Sequence, residues 1–377
     1  MRFITADYLF PLYRPPIKEG VLQVSENGEI MNIYNKRLDV PQEKIEFFEG
    51  VLVPGFVNTH CHLELSHLQG LTKKGIGMLN FIRTIKKRTE FSKEKIQESI
   101  KNADEEMKKN GIVAVGDICN TTDTIHQKKL NNLVYYNFIE TFSLRKDEDF
   151  KNIQLAKRIR HSFRSEGLIA TITPHAPYTV SPEMINKITG LYDNKDYTLT
   201  IHMQESQLEN KLFAFKKGNF FNWLNKINTN PNIWQKRNMP IKILEEIGKK
   251  KIILVHNTFS KKEDIFSKYY YCTCPKANLH IEKKLPDYSI FDVDRLCVGT
   301  DSYASNNSLS ILEELYVIQK HTDFDLNTLF KIACKNGAEA LGFNKLGTFM
   351  KNTIPGVNLL KIKNGILERG TKIEVLF

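Results

Sequence analysis

The chain contains no run of the roughly 18 consecutive apolar residues that a bilayer-spanning helix needs, so no membrane span is expected. No secretory leader is expected either. The apolar stretch within residues 1–13 is short, is interrupted by Pro11 and leads to no small-residue cleavage site, so a cytoplasmic protein is expected. No Cys-x-x-Cys pair occurs, so neither a zinc ribbon nor a redox pair is expected. The six cysteines (Cys61, Cys119, Cys272, Cys274, Cys297 and Cys334) lie in or beside apolar segments and are read as buried free thiols. Acidic residues are outnumbered, leaving a net charge of +11. The excess is scattered in small groups such as Lys73-Lys74, Lys86-Lys87-Arg88 and Lys249-Lys250-Lys251, without recurring aromatic residues between them. Such groups are read as solvated faces, not as a nucleic-acid groove.

What is present describes an ordinary globular protein, with 41% hydrophobic and 26% charged residues. Its 377 residues accommodate a barrel of about 250 residues with a modest accessory domain. The first fifty residues alternate in short strand-like pieces, Val21-Leu22-Gln23-Val24 and Ile30-Met31-Asn32-Ile33-Tyr34 among them, separated by turn residues. The tail, residues 358–367 and 371–377, has the same character. A small β-sandwich built from both termini, 1–50 and 347–377, is therefore expected around a central unit of residues 51–346. In that unit eight strand-like runs (51–59, 112–118, 133–140, 168–174, 198–203, 251–256, 269–274 and 295–301) alternate with helical ones. The clearest helices are 94–109, 152–164, 308–321 and 327–341. Alternation of this kind calls for parallel strands and crossover helices, and eight strands for a distorted (β/α)8 TIM barrel.

The polar residues are placed informatively. His60 and His62, Glu140, His175, His202, His256 and Asp301 each fall at or just past the C-terminal end of an expected strand. In a parallel barrel those ends open on one face, where active sites are built. Residues two apart in a strand point the same way, so His60 and His62 can reach one ion while Cys61 faces away. No lysine stands at a strand end to bridge two metals, which favours a single-metal centre.

The segment Pro54-Gly55-Phe56-Val57-Asn58-Thr59-His60-Cys61-His62-Leu63 resembles the first-strand signature of the amidohydrolase superfamily. Further segments resemble, in order, the branch that deaminates S-adenosylhomocysteine, methylthioadenosine and aminodeoxyfutalosine. They are Thr173-Pro174-His175-Ala176-Pro177-Tyr178, His202-Met203-Gln204-Glu205-Ser206 with Glu209, Val255-His256-Asn257, Cys274-Pro275-Lys276-Ala277-Asn278-Leu279 and Gly299-Thr300-Asp301-Ser302. The resemblance implies that His60, His62, His202 and Asp301 bind one divalent ion, zinc or iron. Three imidazoles, a carboxylate and a water suit a catalytic centre with an open position. It further implies that Glu205 is the general acid/base, that His256 orients the water and that Asp301 can accept its proton. His175 is assigned to substrate binding, and Glu140 to substrate contact, with a structural ion pair as the open alternative.

The implied activity is hydrolytic deamination of an amino-substituted heteroaromatic or nucleoside-like small molecule by a cyclic-amidine deaminase, and a homodimer is implied as well. Two other readings stay open: a related amidohydrolase that cleaves another C–N or a C–halogen bond, and a ligand-binding barrel without turnover. One departure bears on the substrate. Nucleoside-type members carry an acidic residue in the helix after the first strand, whereas this chain reads Met78-Leu79-Asn80-Phe81-Ile82-Arg83-Thr84. The planar fork of Arg83 would suit a substrate carboxylate, as in an aminodeoxyfutalosine-like compound. The aromatic-rich stretch 211–240, with Phe213, Phe215, Phe220, Phe221, Trp223 and Trp234, reads as a lid or an extra packed helix, and packing is favoured.

Overall fold

The computed structural model describes residues 1–192, 197–227, 239–247, 251–362 and 365–377. Seven strands share one sheet: β1 (Arg2–Leu9), β2 (Ile17–Lys18), β3 (Val21–Val24), β4 (Ile30–Tyr34), β5 (Ile45–Pro54), β14 (Val357–Leu360) and β15 (Ile373–Val375). The order is β15-β14-β5-β1-β3-β4, with β2 beside β1, so both ends of the chain lie in it. Ile4, Ala6, Leu22, Val24, Leu52, Phe349, Val357 and Leu359 form its apolar cluster.

The middle of the chain supplies eight parallel strands in two four-stranded sheets. One holds β6 (Phe56–Cys61), β7 (Ile112–Cys119), β8 (Val134–Thr141) and β9 (Ile169–Pro174). The other holds β10 (Thr198–Met203), β11 (Lys251–His256), β12 (Tyr270–Thr273) and β13 (Leu296–Val298). Every residue of β6 and β10 is buried, as parallel strands covered on both faces require. The sheets meet at both edges. At one seam His202 N donates to His175 O (2.9 Å) and Thr200 N to Thr173 Oγ1 (2.9 Å). At the other, Cys61 and Asp301 form a parallel bridge, Asp301 N donates to His60 O (3.0 Å), and Asn58 Nδ2 donates to Thr300 Oγ1 (2.8 Å).

Helices cover the outer faces. In Lys93–Lys109 the Ser92 hydroxyl accepts from Lys95 N, while Ile100, Ala103, Asp104 and Met107 are buried at three- and four-residue spacing. The reading of 327–341 as one helix is met by three consecutive helical pieces: Leu326–Phe330, a π-turn over Lys331–Lys335, and Asn336–Leu341.

One expected strand divides. Residues 51–59 read as a single apolar run, but β5 ends at Pro54 in the terminal sheet and β6 begins at Phe56. Gly55 makes the switch. A Cβ there would stand 2.2 Å from Val113 Cγ1 and 2.7 Å from Pro355 O, so only glycine lets the chain pass between the sheets.

Candidate active site at the strand ends

β6 delivers His60 from within the strand and His62 from the residue after it, and β10 delivers His202. One ring nitrogen from each of the three lies within 4.8 Å of the others. His62 Nε2 and His202 Nε2 are 3.3 Å apart, and His60 Nε2, although buried, has no hydrogen-bond partner. Asp301 Oδ1 lies 3.5 Å from His62 Nε2 and 3.8 Å from His60 Nε2. Its other oxygen accepts from Ser305 Oγ at 2.5 Å.

Burial, reinforced by mutual repulsion, holds the imidazoles in their neutral, metal-ligating form. His60 and His62 are pushed well below the usual histidine value and His202 to about 3. Buried nitrogen lone pairs facing one another with no proton to share, beside a carboxylate, fit a divalent cation of the zinc type.

The outer nitrogen of His202 is also engaged. Its Nδ1 donates to His175 O (3.0 Å) and lies 3.4 Å from Glu140 Oε1, which has no hydrogen-bond partner of its own. Glu140 Oε2 accepts from Asn120 Nδ2 at 3.2 Å. Glu140 thus faces the back of His202, an arrangement that turns Nε2 toward the cluster.

Glu205 follows β10 and lies buried, with Oε1 3.6 Å from His256 Nε2. Burial first, then the charges of Asp301, Glu282 and Glu140, push its carboxyl well above the usual range. His256 Nδ1 donates to Asn278 Oδ1 at 2.9 Å, leaving the Nε2 lone pair toward Glu205. Burial pushes the half-buried His175 down to about 4, and its Nδ1 pairs with Thr179 Oγ1 at 2.9 Å.

A cavity of about 300 Å³ opens over these groups. His62, His202, Glu205, His256 and Asp301 line its inner end, with His175 and Glu140 beside them. Phe81, Ile82, Phe142, Leu144, Trp223 and Leu224 form its walls.

Arg83 is not brought to this place. It sits on the outside of the helix Met78–Ile85, donates from Nη1 to Asn80 Oδ1, and lines a separate surface hollow with Asn219, Asn222 and Lys226. A helical register of 3.6 residues explains the miss: Phe81 and Ile82 face the cavity, and the next residue turns away. The group Lys86-Lys87-Arg88, read as a solvated face, instead sends Lys86 and Arg88 to the cavity.

The aromatic stretch 211–240 divides by role. Phe213 and Phe220 pack with Tyr178 and Leu224, Trp223 reaches the cavity, Phe215 is exposed, and Trp234 falls outside the described residues.

Sequence reasoning also missed the supports. Asp117, on β7, accepts from Leu63 N (2.8 Å) and from Lys128 Nζ (2.5 Å), both side chains being fully buried. It thereby fixes the backbone just after His62. Glu64 Oε2 accepts from Asn120 N and Thr121 N, both at 2.9 Å. The alternation His60, His62, Glu64 was the only local signal for that residue.

The profile of the amidohydrolase family matches residues 51–361. A Helicobacter pylori protein named adenosine deaminase is 27% identical over 350 residues, which is 86% of this chain and 83% of that protein. The fold is shared with the crystal structure of Helicobacter pylori aminofutalosine deaminase in complex with methylthio-coformycin. There the TM-score is 0.82 at 23% identity, covering 97% of this chain and 93% of the other. An adenosine deaminase from Xanthomonas campestris with bound zinc superposes with a TM-score of 0.73 at 18% identity, covering 96% and 85% of the two chains.

Proposed function

Because the chain belongs to the amidohydrolase family, we propose that it is a hydrolytic deaminase, replacing the exocyclic amine of an adenine-like ring with oxygen and releasing ammonia. The observation that carries this reading is Glu205, a buried carboxyl whose Oε1 stands 3.6 Å from His256 Nε2 where the cavity meets the histidine cluster. The relative named adenosine deaminase supports the same chemistry.

His60, His62, His202 and Asp301 would hold one divalent ion, zinc first and iron second. When bound, such an ion acts as a Lewis acid that lowers the pKa of a water toward about 7. His256, fixed through Asn278, accepts a hydrogen bond from the attacking water and orients it. Glu205 gives its proton to the ring nitrogen next to the reacting carbon, takes one from the water and hands it to the amine. The carbon–nitrogen bond breaks as ammonia leaves, and Glu205 recovers its proton from the hydroxyl that becomes the product carbonyl. His175 contacts the substrate from the cavity wall, whereas Glu140 positions His202.

The two four-stranded sheets are read as one closed (β/α)8 barrel, residues 51–346, supported by contacts at both seams. The terminal sheet, with the apolar cluster it shares, is read as a small sandwich-type domain, residues 1–50 and 347–377.

The test is to load the protein with zinc or iron, offer it adenine nucleosides, and follow ammonia. Release is expected, with Glu205→Gln slowing turnover by about 10²–10⁴-fold while nucleoside binding persists. No ammonia from any adenine nucleoside, or a Glu205→Gln rate close to wild type, overturns the reading.

A further inference from the structure

Tyr178 is a buried polar side chain that the deamination steps leave unused. It stands in the turn that follows β9, is 5% exposed and lines the cavity. The turn is closed by Thr179, whose N–H donates to Ala176 O (3.0 Å) and whose hydroxyl accepts from Ala176 N (3.2 Å). Ser143 N donates to Thr179 O (2.9 Å), which ties the turn to the segment after β8. Two rings then fix the phenol: Phe220 meets it edge-on with centroids 5.1 Å apart, and His175 does so at 5.9 Å.

The hydroxyl makes no hydrogen bond among the described residues, although tyrosine hydroxyls buried to this degree are normally paired. Burial first, then the charges of Glu205, Glu209 and Glu140, push the phenol well above its usual value, so at neutral pH it is a donor. It shares its surroundings with Glu205 and Glu140, at the depth of the histidine cluster. His175, on which its ring packs, gives its carbonyl to His202 Nδ1 (3.0 Å). A donor at that depth faces the ring of a substrate and not its sugar. Glu205 serves the ring nitrogen next to the reacting carbon, and an adenine-type ring offers two further acceptor nitrogens, N3 and N7.

Resting on the deaminase reading above, we propose that Tyr178 is a substrate-binding residue whose hydroxyl donates to a ring nitrogen other than the one Glu205 protonates. The closed turn and the two packed rings hold the donor in place before the substrate arrives, so little freedom is lost when the bond forms. The contact selects rings with a lone pair at that position. A ring of the same shape with a C–H there leaves the buried hydroxyl unpaired and is disfavoured.

The experiment measures calorimetric Kd values for adenosine, 3-deazaadenosine and 7-deazaadenosine on zinc-loaded Glu205→Gln protein, in which bound nucleoside persists, with and without Tyr178→Phe. Phenylalanine keeps the ring and its contacts. It should weaken adenosine binding about fivefold, as befits one hydrogen bond between neutral groups. On the deaza analogue that lacks the paired nitrogen it should change nothing, and on the other analogue the fivefold loss should return. The melting temperature of ligand-free Tyr178→Phe should equal or exceed that of its parent, because no bond is lost. An unchanged adenosine Kd, a loss that persists on both analogues, or a lowered melting temperature overturns the proposal. Ammonia release by the chain with Glu205 intact tells the two readings apart. A Kd effect confined to one analogue with no ammonia from adenosine keeps the Tyr178 contact and refutes deamination. Ammonia with an unchanged Kd does the reverse, and absence of adenosine binding refutes both.

Discussion

His202 shows how much of the site's chemistry is set one residue back from the reacting centre. One of its ring nitrogens faces His62 at 3.3 Å, and the other faces a carbonyl oxygen that can only accept, so a proton on that second nitrogen aims the ring. That task falls to the carbonyl of His175 and to Glu140, 3.4 Å away. A carboxylate behind a ligating imidazole raises its basicity and fixes its orientation. Glu140→Gln is therefore expected to weaken zinc binding by about 10–100-fold, read by competition with a chromophoric chelator, with little change in melting temperature. Unaltered zinc affinity would return Glu140 to a direct substrate contact. The position of Glu140 at a strand end was legible in the sequence, but its partner was not, because residues 140 apart or 62 apart in the chain are neighbours only once the sheets meet.

At the scale of elements, the strands end abnormally. Gln204, His256, Asn257 and Asp301 all have positive φ, at 48°, 72°, 53° and 57°, a region that costs non-glycine residues of order 1–3 kcal/mol. Side-chain bonds hold the bends: Asn257 Nδ2 donates to Leu254 O (2.7 Å) and Gln204 Nε2 to Asp264 Oδ2 (2.8 Å). The bends follow β10, β11 and β13 and carry Glu205, His256 and Asp301 at or beside them. Close packing supplies the rest. A Cβ on Gly299 would stand 2.7 Å from the carbonyl oxygen of His60 and 2.8 Å from its Cβ. Gly299→Ala must push β6 away from β13. It should cost about 1–3 kcal/mol in urea unfolding and lower zinc stoichiometry in the same preparation. Full zinc content with wild-type stability would show that the seam has more room than these distances allow. The sequence offered Gly299 only as part of a motif; its steric reason belongs to the strand opposite.

At the scale of the whole molecule, the two ends of the chain lock onto the strand that leads into the site. β14 pairs with β5 from Val357↔Pro54 to Leu360↔Val51, and β5 passes through Gly55 into β6, which carries His60. Asn358 Nδ2 donates to the carbonyl of Gly111 (2.8 Å), tying the terminal sheet to the entry of β7. Removal of residues 357–377 would expose the β5 edge and the partners of Leu359 and Leu360, both fully buried. The truncated chain is expected to lose most of its soluble yield, and any soluble fraction to melt well below the full chain. An unchanged melting temperature would make the terminal sheet dispensable to the site.

The sequence by itself determined the alternation of strands and helices, the strand character of both termini, and the placement of the histidines, Glu205 and Asp301 at or just after strand ends, while the single terminal sheet in place of an expected sandwich came from the structure. These depend on local periodicity and on motifs whose residues are close in the chain. Tertiary structure alone decided that residues 51–59 belong to two sheets, that Arg83 faces away while Arg88 faces the cavity, and that Glu140 stands behind His202. Each of these is a question of which side of an element meets which neighbour. A turn of helix or one glycine between sheets changes the answer without changing the pattern that a single sequence displays.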